Sequence, residues 1–81
     1  MKQIAASHAQ YAAPRRVSPL RILRTGRGLS QVALSELAGV DRSTISRAEH
    51  GLGEPFRSTR VRIAEVLGYP VHVVFPPEKE G

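Results

Sequence analysis

The chain has 81 residues, room for one domain with one core, and a simple all-helical packing is the least costly way to build it. It contains no cysteine, which excludes disulfides and thiolate chemistry, and its three histidines (His8, His50, His72) are too widely spaced to suggest a metal site. The net charge is +5, and all ten Arg lie between Arg15 and Arg62 against Glu36, Asp41, Glu49 and Glu54, a bias that favours nucleic acid because the guanidinium fork matches phosphate and guanine edges.

Residues 1–17 read as an appended, mobile arm. Lys2 to Ala13 is rich in Ala but offers little apolar surface, Pro14 stops it, and Arg15 and Arg16 follow. No signal-peptide core is present, and no stretch approaches the roughly 20 apolar residues of a membrane span. The expected location is therefore cytoplasmic, and nucleoid-associated if DNA is the partner.

An ordered pattern begins at Ser18, where Ser-Pro marks a helix start with Ser as cap and Pro in the first turn. Leu20, Leu23 and the stem of Arg24 share a face until Gly26 and Gly28 end the segment. Ser30 opens a second helix with Leu34, Leu37 and Ala38 on one stripe, and Gly39 closes it. Asp41 or Arg42 begins a third helix that runs through Ile45 to Glu49 and ends at His50-Gly51. Leu52 to Pro55 is a loop. A fourth helix is expected from about Phe56 to Leu67, with Phe56, Ile63, Ala64 and Leu67 as its apolar line. Tyr69 to Phe75 is short, β-branched and apolar, and periodicity alone allows either a strand or a buried short helix. Residues 77–81 read as a polar tail, which leaves 18–76 as the domain.

Only Gly39, Val40 and Asp41 separate the second and third helices. Two short amphipathic helices joined by such a turn make a helix-turn-helix. Small Ser35 allows close approach, Gly39 takes the turn's dihedrals, and Val40 and Ile45 fill the angle between the helices.

The run Leu29-Ser30-Gln31, Leu34, Gly39-Val40, Ser43-Thr44-Ile45-Ser46 and Glu49-His50-Gly51 resembles the Cro/repressor (Xre-type) helix-turn-helix family of phage and bacterial transcriptional regulators. Ile63-Ala64 and Leu67-Gly68 extend the resemblance, which covers residues 19–75. It implies an all-α, lambda-repressor-like bundle of about five short helices with a flexible N-terminal arm, and so a short fifth helix over Val71–Phe75. It also implies sequence-specific binding to double-stranded DNA, with the third helix, about 42–50, in the major groove and transcription regulated by repression. Carried over by position, Arg42, Ser43, Thr44 and Arg47 are the base-reading residues. Ser30, Gln31, Gly51, Gly53 and Arg57 are the phosphate contacts, and Arg15 and Arg16 are arm contacts in a neighbouring groove. Arg24 and Glu49 correspond to a structural ion pair beneath the DNA surface, and Arg21 and Arg27 read as generic basic surface.

Two positions depart from the family pattern. Ala48 stands where a larger aliphatic residue is usual, and Arg60 stands where Leu is usual. Arg60 must reach water along its stem, find a partner, or face another subunit, with Val61 taking its place in the core if the helix is rotated.

A homodimer, at least on DNA, would bind a pseudo-palindromic operator with half-sites about one helical turn apart. No enzyme is expected, since the carboxylates are scattered and no nucleophile, phosphate loop or metal cluster stands out. No cofactor is implied. Two alternatives share the fold. One is an antitoxin that binds DNA and a toxin partner through residues 70–77, and the other is a protein-interaction adaptor that makes no DNA contact.

Overall fold

The computed structural model describes residues 17–77, and within them five helices and no strand. The first helix, α1 (Pro19–Gly26), starts at Ser18, whose Oγ accepts from the Arg21 amide at 3.0 Å. That bond and Pro19 satisfy or remove amides that a helix start would otherwise leave open. Gly28, at φ +73°, turns the chain toward α2 (Gln31–Ala38). Ser30 repeats the device at α2, its Oγ accepting from the Ala33 amide at 3.0 Å.

Gly39 ends α2 in the left-handed region at φ +70°, and the Val40 amide turns back to the Ser35 carbonyl at 3.0 Å. This geometry strains any residue with a Cβ, so glycine is required there. Asp41 then opens α3 (Arg42–Glu49). Phe56 opens α4 (Arg57–Leu67), and Pro70 opens the short α5 (Val71–Val74). The Tyr69–Phe75 run, which periodicity left open, is thus helical over four residues.

Leu20, Leu34, Ala38, Ile45, Ile63, Ala64, Leu67 and Val74 form one buried cluster to which every helix contributes. Leu23, Leu29, Val40, Ala48, Val66, Val71 and Phe75 pack around it half-buried. Helix α2 lies at the centre against α3 and α4, while α1 bridges α3 and α5. The Ala48 position, short for this pattern, borders a groove shared with Leu20, Pro55, Val74 and Phe75.

Two expectations from the apolar pattern fail. Leu37 is 63 % exposed. The α2 stripe is centred between Leu34, Ser35 and Ala38, because the small Ser35 and Ala38 face the neighbouring helices. At 100° per residue that centre leaves Leu37 on the far flank. Phe56 is 84 % exposed. It caps α4 from outside, with extended backbone (φ −60°, ψ 156°), so it never joins the helical line of Ile63, Ala64 and Leu67.

Arg60 finds its partners within the chain. Its Nη1 donates to the Pro55 carbonyl at 2.7 Å, and its Nε lies 3.7 Å from a Glu54 carboxylate oxygen. The charge therefore straps the loop before α4, with its side chain only 21 % exposed. Arg27 is likewise more than basic surface. Its Nε donates to the Leu67 carbonyl at 2.9 Å and its guanidinium lies 5.4 Å from the Tyr69 ring centre. That contact ties the end of α1 to the end of α4, and it adds a cation–π attraction.

Candidate nucleic-acid interface

Helix α3 carries the candidate base-reading residues, and its seating decides which of them are exposed. Ile45 is the one residue of α3 buried as a whole, and it plugs into the core. At its C-terminal end Glu49 is held from below by α1 and α2. Arg24 Nε donates to Glu49 Oε2 at 2.5 Å and Arg24 Nη2 to Oε1 at 3.0 Å, while Gln31 Nε2 donates to Oε1 at 3.0 Å. Arg24 Nη1 also reaches the Leu29 carbonyl at 2.8 Å, bracing the segment that leads into α2. The Arg24 and Glu49 side chains are 9 % and 3 % exposed.

Charge and burial compete in this cluster. Burial works against ionisation of Glu49, but the hydrogen bonds from Arg24 and Gln31 and the charges of Arg24 and Arg21 outweigh it. The carboxyl therefore stays below the usual carboxylate range. The hydrogen bond to Glu49 raises the Arg24 pKa against an opposing effect of burial. Both groups stay charged at neutral pH, and the frame under α3 is an ion pair with bidentate geometry.

At the turn, Arg62 from α4 donates through Nη1 to the Gly39 carbonyl at 3.2 Å, tying the α2–α3 junction to α4. Sequence reasoning did not single out Arg62. Its partner is a backbone oxygen, and no residue type marks such an acceptor.

Above this frame Arg42, Ser43 and Arg47 stand exposed and Thr44 is half-buried, so the first turn and outward face of α3 are open. Ser30 is exposed with its hydroxyl engaged in the α2 cap. Gln31 is half-buried on Glu49. Arg57, at the start of α4, is exposed. Gly51 and Gly53 both have positive φ, at +71° and +132°. The Gly51 and Leu52 amides turn inward to the Ala48 and Arg47 carbonyls at 3.2 and 2.8 Å. Gly51 thus shapes the loop, and the Gly53 amide makes no hydrogen bond among the described residues. Arg15 and Arg16 lie outside the described residues.

Several concavities border α3, and two of them bear on its open face and its C-terminal end. One, of about 670 Å³, lies between the starts of α1 and α2 and the end of α3, with Arg21, Gln31 and His50 on its walls. The other, of about 290 Å³, runs between the outward face of α3 and the start of α4. The described residues hold no cluster of His, Asp or Glu that could bind a metal. None of the described helices is long and apolar enough to cross a membrane.

Residues 20–74 match the model of the helix-turn-helix family. The chain belongs to the Cro/C1-type helix-turn-helix family. Among solved structures it is similar to the restriction-modification controller protein C.AhdI from Aeromonas hydrophila. The two share 35 % identity with a TM-score of 0.66, over 70 % of this chain and 86 % of that one. No curated protein matches the sequence significantly. Membership makes the Cro/C1-type domain a DNA-binding regulator of transcription, and the five-helix arrangement is the fold expected of it.

Proposed function

We propose that the Cro/C1-type domain binds a specific duplex-DNA sequence by laying α3 in the major groove, and that it represses transcription from there. One observation carries the reading. Helix α3 is locked from beneath by Ile45 and by the Arg24–Glu49–Gln31 cluster, while Arg42, Ser43 and Arg47 project free from it. A rigid helix with unspent guanidinium and hydroxyl groups is suited to read base edges. Each bidentate Arg–guanine pair is worth about 1–3 kcal/mol of discrimination.

In this reading Arg42, Ser43, Thr44 and Arg47 meet bases. Ser30, Gln31, the Gly51–Gly53 loop and Arg57 meet phosphates, with the Gly53 amide as the loop's donor. Phosphate contacts set the register, and base contacts set the sequence. A homodimer on an inverted repeat doubles this surface, and repression follows from covering a promoter. The 35 % identity to a restriction-modification controller protein supports control of a restriction-modification system as the setting. The antitoxin alternative has less support, because Val71, Val74 and Phe75 are engaged by the core, and among the apolar side chains of residues 70–77 that leaves Val73 and the prolines exposed.

The test is selection of bound duplexes from a random pool at two salt concentrations. An enriched inverted repeat, lost with Arg47→Ala, supports the reading. Binding equally to all duplexes refutes sequence readout, although a salt-sensitive affinity would still report phosphate contacts.

A further inference from the structure

A large apolar side chain that is 84 % exposed and without a seat in the core needs a reason, and Phe56 is such a residue. It lies on the DNA-facing side of the domain as read above, and the present inference rests on that reading. Phe56 is one wall of the groove of about 290 Å³ whose other wall is the outward face of α3, with Ser43, Thr44 and Arg47. Gly53, Glu54, Pro55 and Thr59 complete the groove, and the Glu54 carboxylate lies 3.7 Å from Arg60 Nε.

The groove is chemically divided. Arg47 and Ser43 bring hydrogen-bonding groups and Glu54 a carboxylate, while Phe56 and Pro55 bring apolar carbon beside Thr44 and Thr59. The backbone fixes Phe56 in place, since it follows Pro55, and the Thr59 and Arg60 amides both return to its carbonyl at 3.0 Å. Arg60 holds Pro55 from the other side through the Pro55 carbonyl. The ring is thus mounted on a braced corner.

Among the groups that line the major groove of unmodified DNA, the C5-methyl of thymine is the one apolar group, and 5-methylcytosine carries the same methyl. An apolar wall continuous with base-reading side chains is complementary to that group. We infer that Phe56, with Thr44, forms a cleft that reads the C5-methyl of a pyrimidine, making Phe56 a specificity-determining residue beside α3.

The test uses the operator selected as above. Each thymine of one half-site is replaced in turn by deoxyuridine, and each cytosine in turn by 5-methylcytosine. Affinities are measured for the full chain and for Phe56→Ala and Phe56→Leu. The ring is exposed, so Phe56→Ala should melt within a few degrees of the parent.

The expected result is one thymine per half-site at which deoxyuridine weakens the parent about fourfold, the worth of one buried methyl-sized group. Phe56→Ala should be indifferent there, and Phe56→Leu should keep part of the preference. If the site holds cytosine at that step, 5-methylcytosine should strengthen binding by a similar factor. An operator with no methyl-sensitive position, or with sensitivity unchanged in Phe56→Ala, overturns the inference and leaves the reading of α3 intact. Equal weakening on every duplex, with a shift toward monomer in sedimentation, would assign Phe56 to a subunit contact and also overturn it. If no operator is enriched, the major-groove reading fails and the inference falls with it.

Discussion

Replacing Arg24 with Met keeps the alkyl stem and removes the guanidinium. The loss comprises the two bonds to Glu49, at 2.5 and 3.0 Å, and the bond to the Leu29 carbonyl at 2.8 Å. Glu49 then keeps only Gln31 as a partner, and its side chain is 3 % exposed. Breaking a buried pair from one side leaves an uncompensated charge and costs about 3–5 kcal/mol. In a domain of this size each kcal/mol moves the melting temperature by about 4–8 °C, so Arg24→Met should melt at least about 12 °C lower at pH 7. The assay is thermal and urea unfolding followed by helical circular dichroism.

A pH series sharpens this first test. In the parent, Glu49 sits below the ordinary value of 4.5, so its contribution is present at neutral pH and is lost as the pH falls below that value. In Arg24→Met only the Gln31 hydrogen bond and the Arg21 charge still oppose the burial of Glu49, so its pKa rises and that variant's penalty is relieved on acidification. The stability gap should therefore narrow between pH 7 and pH 4. A penalty below about 1 kcal/mol at pH 7, with a gap independent of pH, would refute the view of Arg24–Glu49 as a buried, charged frame.

Three further outcomes can be measured by the same unfolding experiments. Ser30→Ala removes the acceptor for the Ala33 amide and should cost about 1 kcal/mol, while Ser30→Gly should cost only a few tenths. Gly68→Ala combines a φ of +81° with a new Cβ only 2.9 Å from Arg27 Nη2. It should lose about 1–2 kcal/mol through left-handed strain and disturb the Arg27 bond to Leu67 as well, exceeding Gly39→Ala, whose Cβ would meet nothing closer than 3.6 Å. Leu37→Gln should change stability by less than about 0.5 kcal/mol, whereas a drop of 2 kcal/mol or more would return Leu37 to the core, at about the cost of a buried Leu.

Helix starts and stops were legible because they rest on single residues with fixed conformational preferences. Ser18-Pro19, Ser30 and Gly39 each announce a boundary that the backbone adopts. The segment Tyr69–Phe75 was not legible from periodicity, because four residues make barely one helical turn. It was the family resemblance that pointed to a helix. Spacing placed Leu37 with Leu34, but where the stripe is centred depends on which neighbour docks, and Ser35 decides that by being small. The roles of Arg27, Arg60 and Arg62 were hidden for a common reason. Each donates to a backbone carbonyl (Leu67, Pro55 and Gly39), and since every residue carries a carbonyl no pattern identifies the acceptor. The outward residues of α3 were named through the resemblance, and the structure adds that Arg42, Ser43 and Arg47 are exposed while Gln31 is tied to Glu49.

The shallow anchoring of α3 has an evolutionary consequence. Ile45, the half-buried Ala48 and the Glu49 carboxylate fix the helix from one side, so its outward positions are excused from the folding problem. Residues 42, 43 and 47 can be exchanged with little loss of stability, because surface positions seldom exceed about 0.5 kcal/mol. On the proposed reading of α3, a lineage or a library of variants can therefore change its target sequence without first gaining stability to spare, while the scaffold stays constant.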